Sequence, residues 1–188
     1  MLFRSPDPER IRYVGQVLGV FIVFEYGDDL VIMDQHAAHE RHLYNQILSG
    51  SVVSQEMLVP VVYEPSSDEE DRYLAVNAPR LESAGFVFER QEGTWLLTHA
   101  PAMLPESRTG SIFEVIRSMP DPDALIRSTA AQAACKAAIK DGDSLDEIGA
   151  LSLIRAALAL PEPRCPHGRP IWVRMSRTDL FKAVRRLV

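Results

Sequence analysis

Cysteine is scarce in this chain, and that scarcity narrows the reading first. Two cysteines in 188 residues cannot build a disulfide framework, so in a reducing compartment they are ligands or buried thiols. No apolar run is long enough to cross a bilayer, and the N-terminus carries no signal-peptide pattern. A cytoplasmic protein with no membrane partner is the default expectation. A basic surplus is also missing: the net charge is -6 and the pI is near 5.4. A domain that holds nucleic acid by itself usually shows such a surplus. If this chain acts on DNA, something else brings it there. There is no internal repeat, no low-complexity tract and no Gly-rich phosphate motif suited to ATP.

What remains is 46% hydrophobic and 24% charged, enough for one or two small lobes with a real core. Residues 13–24 and 30–33 are apolar runs around a Gly27-Asp28-Asp29 turn, read as a hairpin after a loose lead-in over 1–12. Helical spacing follows from about His36 to Leu48, with Gly50 as its stop. Residues 51–63 read as extended, with Pro60 at a sheet edge. A helix to about Ser83, kinked at Pro79, precedes a second hairpin over 86–89 and 94–98. Helices are then expected over 111–119, 124–140 and 145–160, a strand over 171–175, and a capped helix ending near Leu187. Strands and helices are clustered, not alternating, so the expected class is α+β. The middle of the chain, 51–142, reads as an inserted lobe between two flanking pieces, 1–50 and 143–188.

The chemistry concentrates at three places. Asp34-Gln35-His36-Ala37-Ala38-His39-Glu40 lies where a buried strand hands over to a helix. Asp34 suits the N-cap, and His36 and Glu40, four apart, share one helical face. A plain cap with a solvated His–Glu pair is the ordinary alternative. Cys165-Pro166-His167-Gly168-Arg169-Pro170 presents sulfur and nitrogen from a turn framed by proline and glycine. Cys135 sits in a helical Ala134-Cys135-Lys136 run, where a merely buried thiol is common. Together His36, Glu40, Cys135, Cys165 and His167 form a mixed S/N/O donor set that suits zinc. Asp34 and Glu40 offer oxygen to a harder ion, Mn²⁺ or Mg²⁺, and paired metals are apparatus for phosphodiester hydrolysis. His39 and His42 are read as surface or supporting residues, and His99 is given no role.

These stretches, with Gln16-Val17-Leu18-Gly19, resemble in order and spacing the C-terminal domain of the MutL mismatch-repair family, in its endonuclease-bearing branch. The likeness runs from about Val14 to Val188. It implies a latent, metal-dependent nuclease that nicks newly made DNA, with zinc on His36, Glu40, Cys135, Cys165 and His167 and with Asp34 as the acid needed for cutting. It implies a homodimer built from the two flanking pieces, with the middle lobe external. Gln55-Glu56-Met57-Leu58-Val59-Pro60 is similar to the family's sliding-clamp motif, with Gln55, Met57, Leu58 and Pro60 as contacts. By residue type alone this is an edge strand with its apolar side chains turned inward. Clamp tethering would supply the DNA contact that the charge withholds. A mismatch-recognition partner, MutS, would be reached through a longer protein that carries the ATPase. One position departs from the pattern: Asn45 stands where the family has a second glutamate. The alternative is a non-cutting dimerisation and docking module with a structural zinc.

Overall fold

The computed structural model describes residues 7–186, and the fold is α+β. The chain divides into two compact units: residues up to His42 joined with those from Ile139 onward, and Leu43–Ala138. The boundaries expected from sequence, 50/51 and 142/143, lie eight and four residues further along the chain. The first division falls within α1, Gln35–Leu48, and the second just after the helix Pro122–Ala137.

The first unit is built on a four-stranded antiparallel sheet in the order β1-β2-β3-β7: β1 Ile11–Val17, β2 Phe21–Tyr26, β3 Asp29–Asp34 and β7 Trp172–Ser176. The stretch 13–24 is therefore two strands, not one. Leu18 and Gly19, both at positive φ, turn the chain inside the apolar run. The lead-in is more ordered than expected, with a short 3-10 turn at Pro8–Arg10 followed by β1; residues 1–6 lie outside the described part.

Alternation decides which side of this sheet is covered. Ile22 and Phe24 on β2, and Val31 and Met33 on β3, point inward and are buried. They close on Ala37 and Ala38 of α1 (Gln35–Leu48) and on Ala150, Leu153, Ile154 and Ala157 of α5 (Glu147–Leu158). Cys165 and Ile171 complete that core. The opposite side carries Val23, Ile32 and Val173 in direct cross-strand register.

The second unit has a three-stranded antiparallel sheet in the order β4-β6-β5: β4 Ser54–Tyr63, β5 Val87–Gln91 and β6 Thr94–Pro101. Its helices are α2 Asp68–Ser83, α3 Ile112–Arg117 and α4 Pro122–Ala137. Tyr63, Leu74, Leu81, Phe86, Leu97, Ile116 and Leu125 form its centre. Glu70, buried in α2, accepts hydrogen bonds from the Tyr63 hydroxyl and from the Ser66 backbone and hydroxyl. The helix continues through Pro79. α4 stops at Ala137, three residues short of the expectation, because Ala138 adopts extended backbone. The last helix, α6, covers Arg177–Ala183 behind a capping box of Ser176 and Asp179; its expected end at Leu187 lies outside the described residues.

Candidate metal centre

The strand-to-helix junction is fastened from several directions. Asp34 ends β3; its N–H donates to the Ile171 carbonyl at 2.9 Å, and its Oδ1 accepts from the Ala37 N–H at 2.9 Å. That bond caps α1, so the plain structural role is real. It occupies one carboxylate oxygen and leaves the second for other work. Gln35 is fully buried. Its Oε1 accepts from Gln16 Nε2 at 2.8 Å, and its own amide donates to the carbonyls of Gly19 and Asp143 at 3.2 and 3.1 Å. Gln16 also donates to Asp143 O at 2.8 Å. The two glutamines thus tie the β1–β2 turn and the segment before α5 to the first turn of α1.

One turn along, two histidines grip a single residue. His36 Nδ1 lies 2.6 Å from the Ile139 carbonyl, which can only accept, so Nδ1 carries the proton. Neutral His36 then has its lone pair on Nε2, the arrangement common in metal-binding imidazoles. The Ile139 N–H donates to His39 Nδ1 at 3.1 Å, which fixes the opposite tautomer there. Burial, with smaller contributions from His42 and His36, lowers the His39 pKa and favours that neutral form.

The turn after α5 is equally fixed. Cys165 N donates to Arg169 O, and Gly168 N to Cys165 O, each at 2.9 Å, inside a bridge between Arg164 and Pro170. Gly168 takes a φ of +85°, which its missing Cβ permits. The turn drives Cys165 into the core, 2% exposed, and leaves the His167 side chain 54% exposed.

These two pieces meet. Ligand atoms of Glu40, Cys165 and His167 all lie within 4.8 Å of one another, with His167 Nδ1 3.5 Å from Glu40 Oε1. Glu40 is 1% exposed, and neither carboxylate oxygen has a hydrogen bond among the described residues. A buried, unsatisfied carboxylate is costly unless a cation neutralises it. Thiol, imidazole and carboxylate are also the donors zinc takes. The residues present therefore fit a divalent metal. Of the five ligands expected from sequence, three come together here. His36 stays outside the group, its Nδ1 engaged by Ile139, and Cys135 is half-buried on α4 in the other unit.

Arg169, from the same turn, adds a positive charge at this place. The Cys165 side chain first, and more weakly Asp34 and Glu40, raise its pKa above the ordinary arginine value. Sequence reasoning missed Gln16 and Gln35 as organisers, although a glutamine beside the cap in an otherwise apolar setting was a usable signal.

In the second unit the clamp-motif residues divide. Met57 is buried in the core, so an outward contact by this side chain is not what the fold provides. The β4–β6 register shifts between Glu56 and Val61, and across that irregular stretch Leu58 and Val59 stand 90% and 74% exposed. Gln55 and Pro60 are exposed too, on a strand at the edge of its sheet.

The family model described as the MutL C terminal dimerisation domain matches residues 14–145. The DNA mismatch repair protein MutL of Treponema pallidum (strain Nichols) is 38% identical over 176 residues, covering 93% of this chain and 28% of that protein. The MutL protein of Solibacter usitatus (strain Ellin6076) is 34% identical over 94% of this chain and 29% of its own length. That of Clostridium botulinum (strain Eklund 17B / Type B) is 32% identical over 98% and 29%. The chain spans under a third of the length of these curated relatives.

Proposed function

Since the chain belongs to the MutL C-terminal dimerisation domain family, we propose that it serves DNA mismatch repair as a latent, metal-dependent endonuclease that nicks newly made DNA. The observation that carries this reading is the buried, unsatisfied Glu40 carboxylate beside Cys165 and His167. Zinc is the proposed resident ion on those three side chains. His36 Nε2 and Cys135 remain proposed additional ligands. Mn²⁺ or Mg²⁺ is the proposed activating ion near Asp34. A divalent cation held there would supply Lewis acidity to a phosphodiester.

The chain's own groups supply the rest. The second Asp34 oxygen orients water and takes up its proton, at a backbone position fixed by Ile171 and Ala37. Arg169, exposed at the mouth of the triad, pairs with a phosphate oxygen. The outer side of the first sheet is the proposed homodimer surface. The exposed part of β4, with Gln55, Leu58 and Pro60, is the proposed dock for the replicative sliding clamp. Double-stranded DNA is bound weakly without the clamp, and MutS is engaged through the longer protein. No described helix is long and apolar enough to cross a membrane; the proposed setting is the cytoplasm.

The test is nicking of supercoiled plasmid by this domain with Mn²⁺, with and without clamp. Nicks above an Asp34→Asn control, increased by clamp, are the expected result; their absence overturns the nuclease role. A second reading, a docking module with structural zinc only, is favoured by Asn45 in place of the family's glutamate. It predicts one tightly held metal and no second site on Mn²⁺ titration.

A further inference from the structure

Charge in this acidic chain is not spread evenly, and one place in the second unit stands apart. A groove of about 520 Å³ is bounded by Ser107, Arg108, Gly110, Ser111, Glu114 and Lys136, with no apolar side chain lining it. The 3-10 turn Glu106–Ser111 forms one wall and the last turn of α4 the other. Arg108 is held across it: Nη1 donates to the Lys136 carbonyl at 3.3 Å. That bond uses one of five guanidinium N–H donors. Neither Arg108 nor Lys136 forms an ion pair among the described residues, although acidic side chains outnumber basic ones, 26 to 20. The Ser107 and Ser111 hydroxyls likewise have no hydrogen-bond partner among the described residues. Glu114 is the one carboxylate on the groove, and Gln132 Nε2 donates to its Oε2 at 3.3 Å.

Two cations without an ion pair among the described residues, one a planar fork with donors to spare, and two hydroxyls in a polar recess match the oxygens of a phosphodiester. An apolar peptide would find nothing to bury here. Part of the arrangement has a local explanation, since cations near a helix C-terminus are favoured by its dipole. That explanation accounts for the Arg108–carbonyl bond and for Lys136 in the last turn of α4, and leaves both hydroxyls without a role.

We infer that this groove holds the sugar–phosphate backbone of duplex DNA, through Arg108 and Lys136 as charges and Ser107 and Ser111 as hydroxyl donors. The inference rests on the DNA-acting reading above, but not on cutting. It assigns a backbone contact to residues other than Glu40, Cys165 and His167, so the contact positions DNA without reading sequence.

The test is fluorescence anisotropy of a labelled duplex with this protein in EDTA, over a salt series starting at low ionic strength. Binding is read without metal, so a failure of nicking leaves the result intact. Arg108→Ala with Lys136→Ala should weaken binding several-fold and flatten the slope of log K against log salt by about two, near one per phosphate contact. Arg108→Lys with Lys136→Arg should keep the wild-type slope, and Glu114→Gln should tighten binding. Arg127→Ala, an exposed cation of the same unit but off the groove, should change little. Should the alanine pair melt early, Lys136→Gln gives the same reading with a slope change of about one. A wild-type slope in the alanine pair overturns the proposal, as does an equal effect from Arg127→Ala or no wild-type binding at the lowest salt.

Discussion

At the scale of single residues, the centre is governed by one carboxylate that the fold buries without satisfying. Glu40→Gln removes the charge and keeps the shape. In chelator, the melting temperature of Glu40→Gln should equal or exceed that of the wild type, because a buried carboxylate without a hydrogen-bond partner among the described residues is gone. With zinc added the order should reverse. The wild type should gain about 2.7 kcal/mol at a hundredfold excess over Kd, and the variant should lose most of that gain. A differential scan with and without metal checks both halves. Gln35→Ala removes an amide that joins three segments, with a cost of about 2 kcal/mol in a denaturant melt, metal present or not. The two substitutions show what was legible. Residue types and helical spacing marked Asp34, Glu40, Cys165 and His167, because few residues do metal chemistry and these were clustered. The grip of His36 and His39 on Ile139 was not legible: it joins side chains to a backbone group about a hundred residues away, and backbone leaves no mark in composition.

At the scale of elements, β4 separates side chains that the motif reading had grouped together. Met57 faces the core and Leu58 faces outward. Met57→Ala should therefore destabilise the protein by about 2–5 kcal/mol. Leu58→Ala should shift stability by no more than about 0.5 kcal/mol while weakening clamp capture in a surface-binding assay. The shifted register between Glu56 and Val61 is why strict alternation failed here; nothing in the residue types announced it. α6 gives the opposite case, since Ser176 and Asp179 announced their capping box and the structure contains it. The Ser176 hydroxyl and N–H hold the Asp179 pKa below the ordinary aspartate value. The unfolded chain thus takes up that proton at higher pH. The contribution to α6 is complete above the ordinary aspartate pKa and is lost as pH falls through the lowered one. Amide chemical shifts over Arg177–Ala183, followed on acidification, check this, and in Ser176→Ala they should report a frayed helix already at neutral pH.

At the scale of the whole molecule, the outer side of the first sheet sets the expected assembly. Val23, Ile32 and Val173 line up across three strands, with Val173 58% exposed, an apolar row that a second copy would cover. Ile32→Arg with Val173→Arg should sediment as a monomer where the wild type sediments as a dimer. The α+β class was legible from the clustering of strands and helices. The boundaries of the two units were not, because α1 runs through one of them without a break in its helical pattern. That sheet has a further consequence for the order of events in a cell. β3 pairs with β7 across some hundred and forty residues, and the turn bearing Cys165 and His167 emerges from the ribosome only shortly before β7. The Leu43–Ala138 unit is by then already synthesised. A chain that stops between residues 139 and 164 contains all of that unit yet lacks two of the three clustered ligands, so the Glu40 carboxylate stays without those partners until the turn bearing Cys165 and His167 has been made.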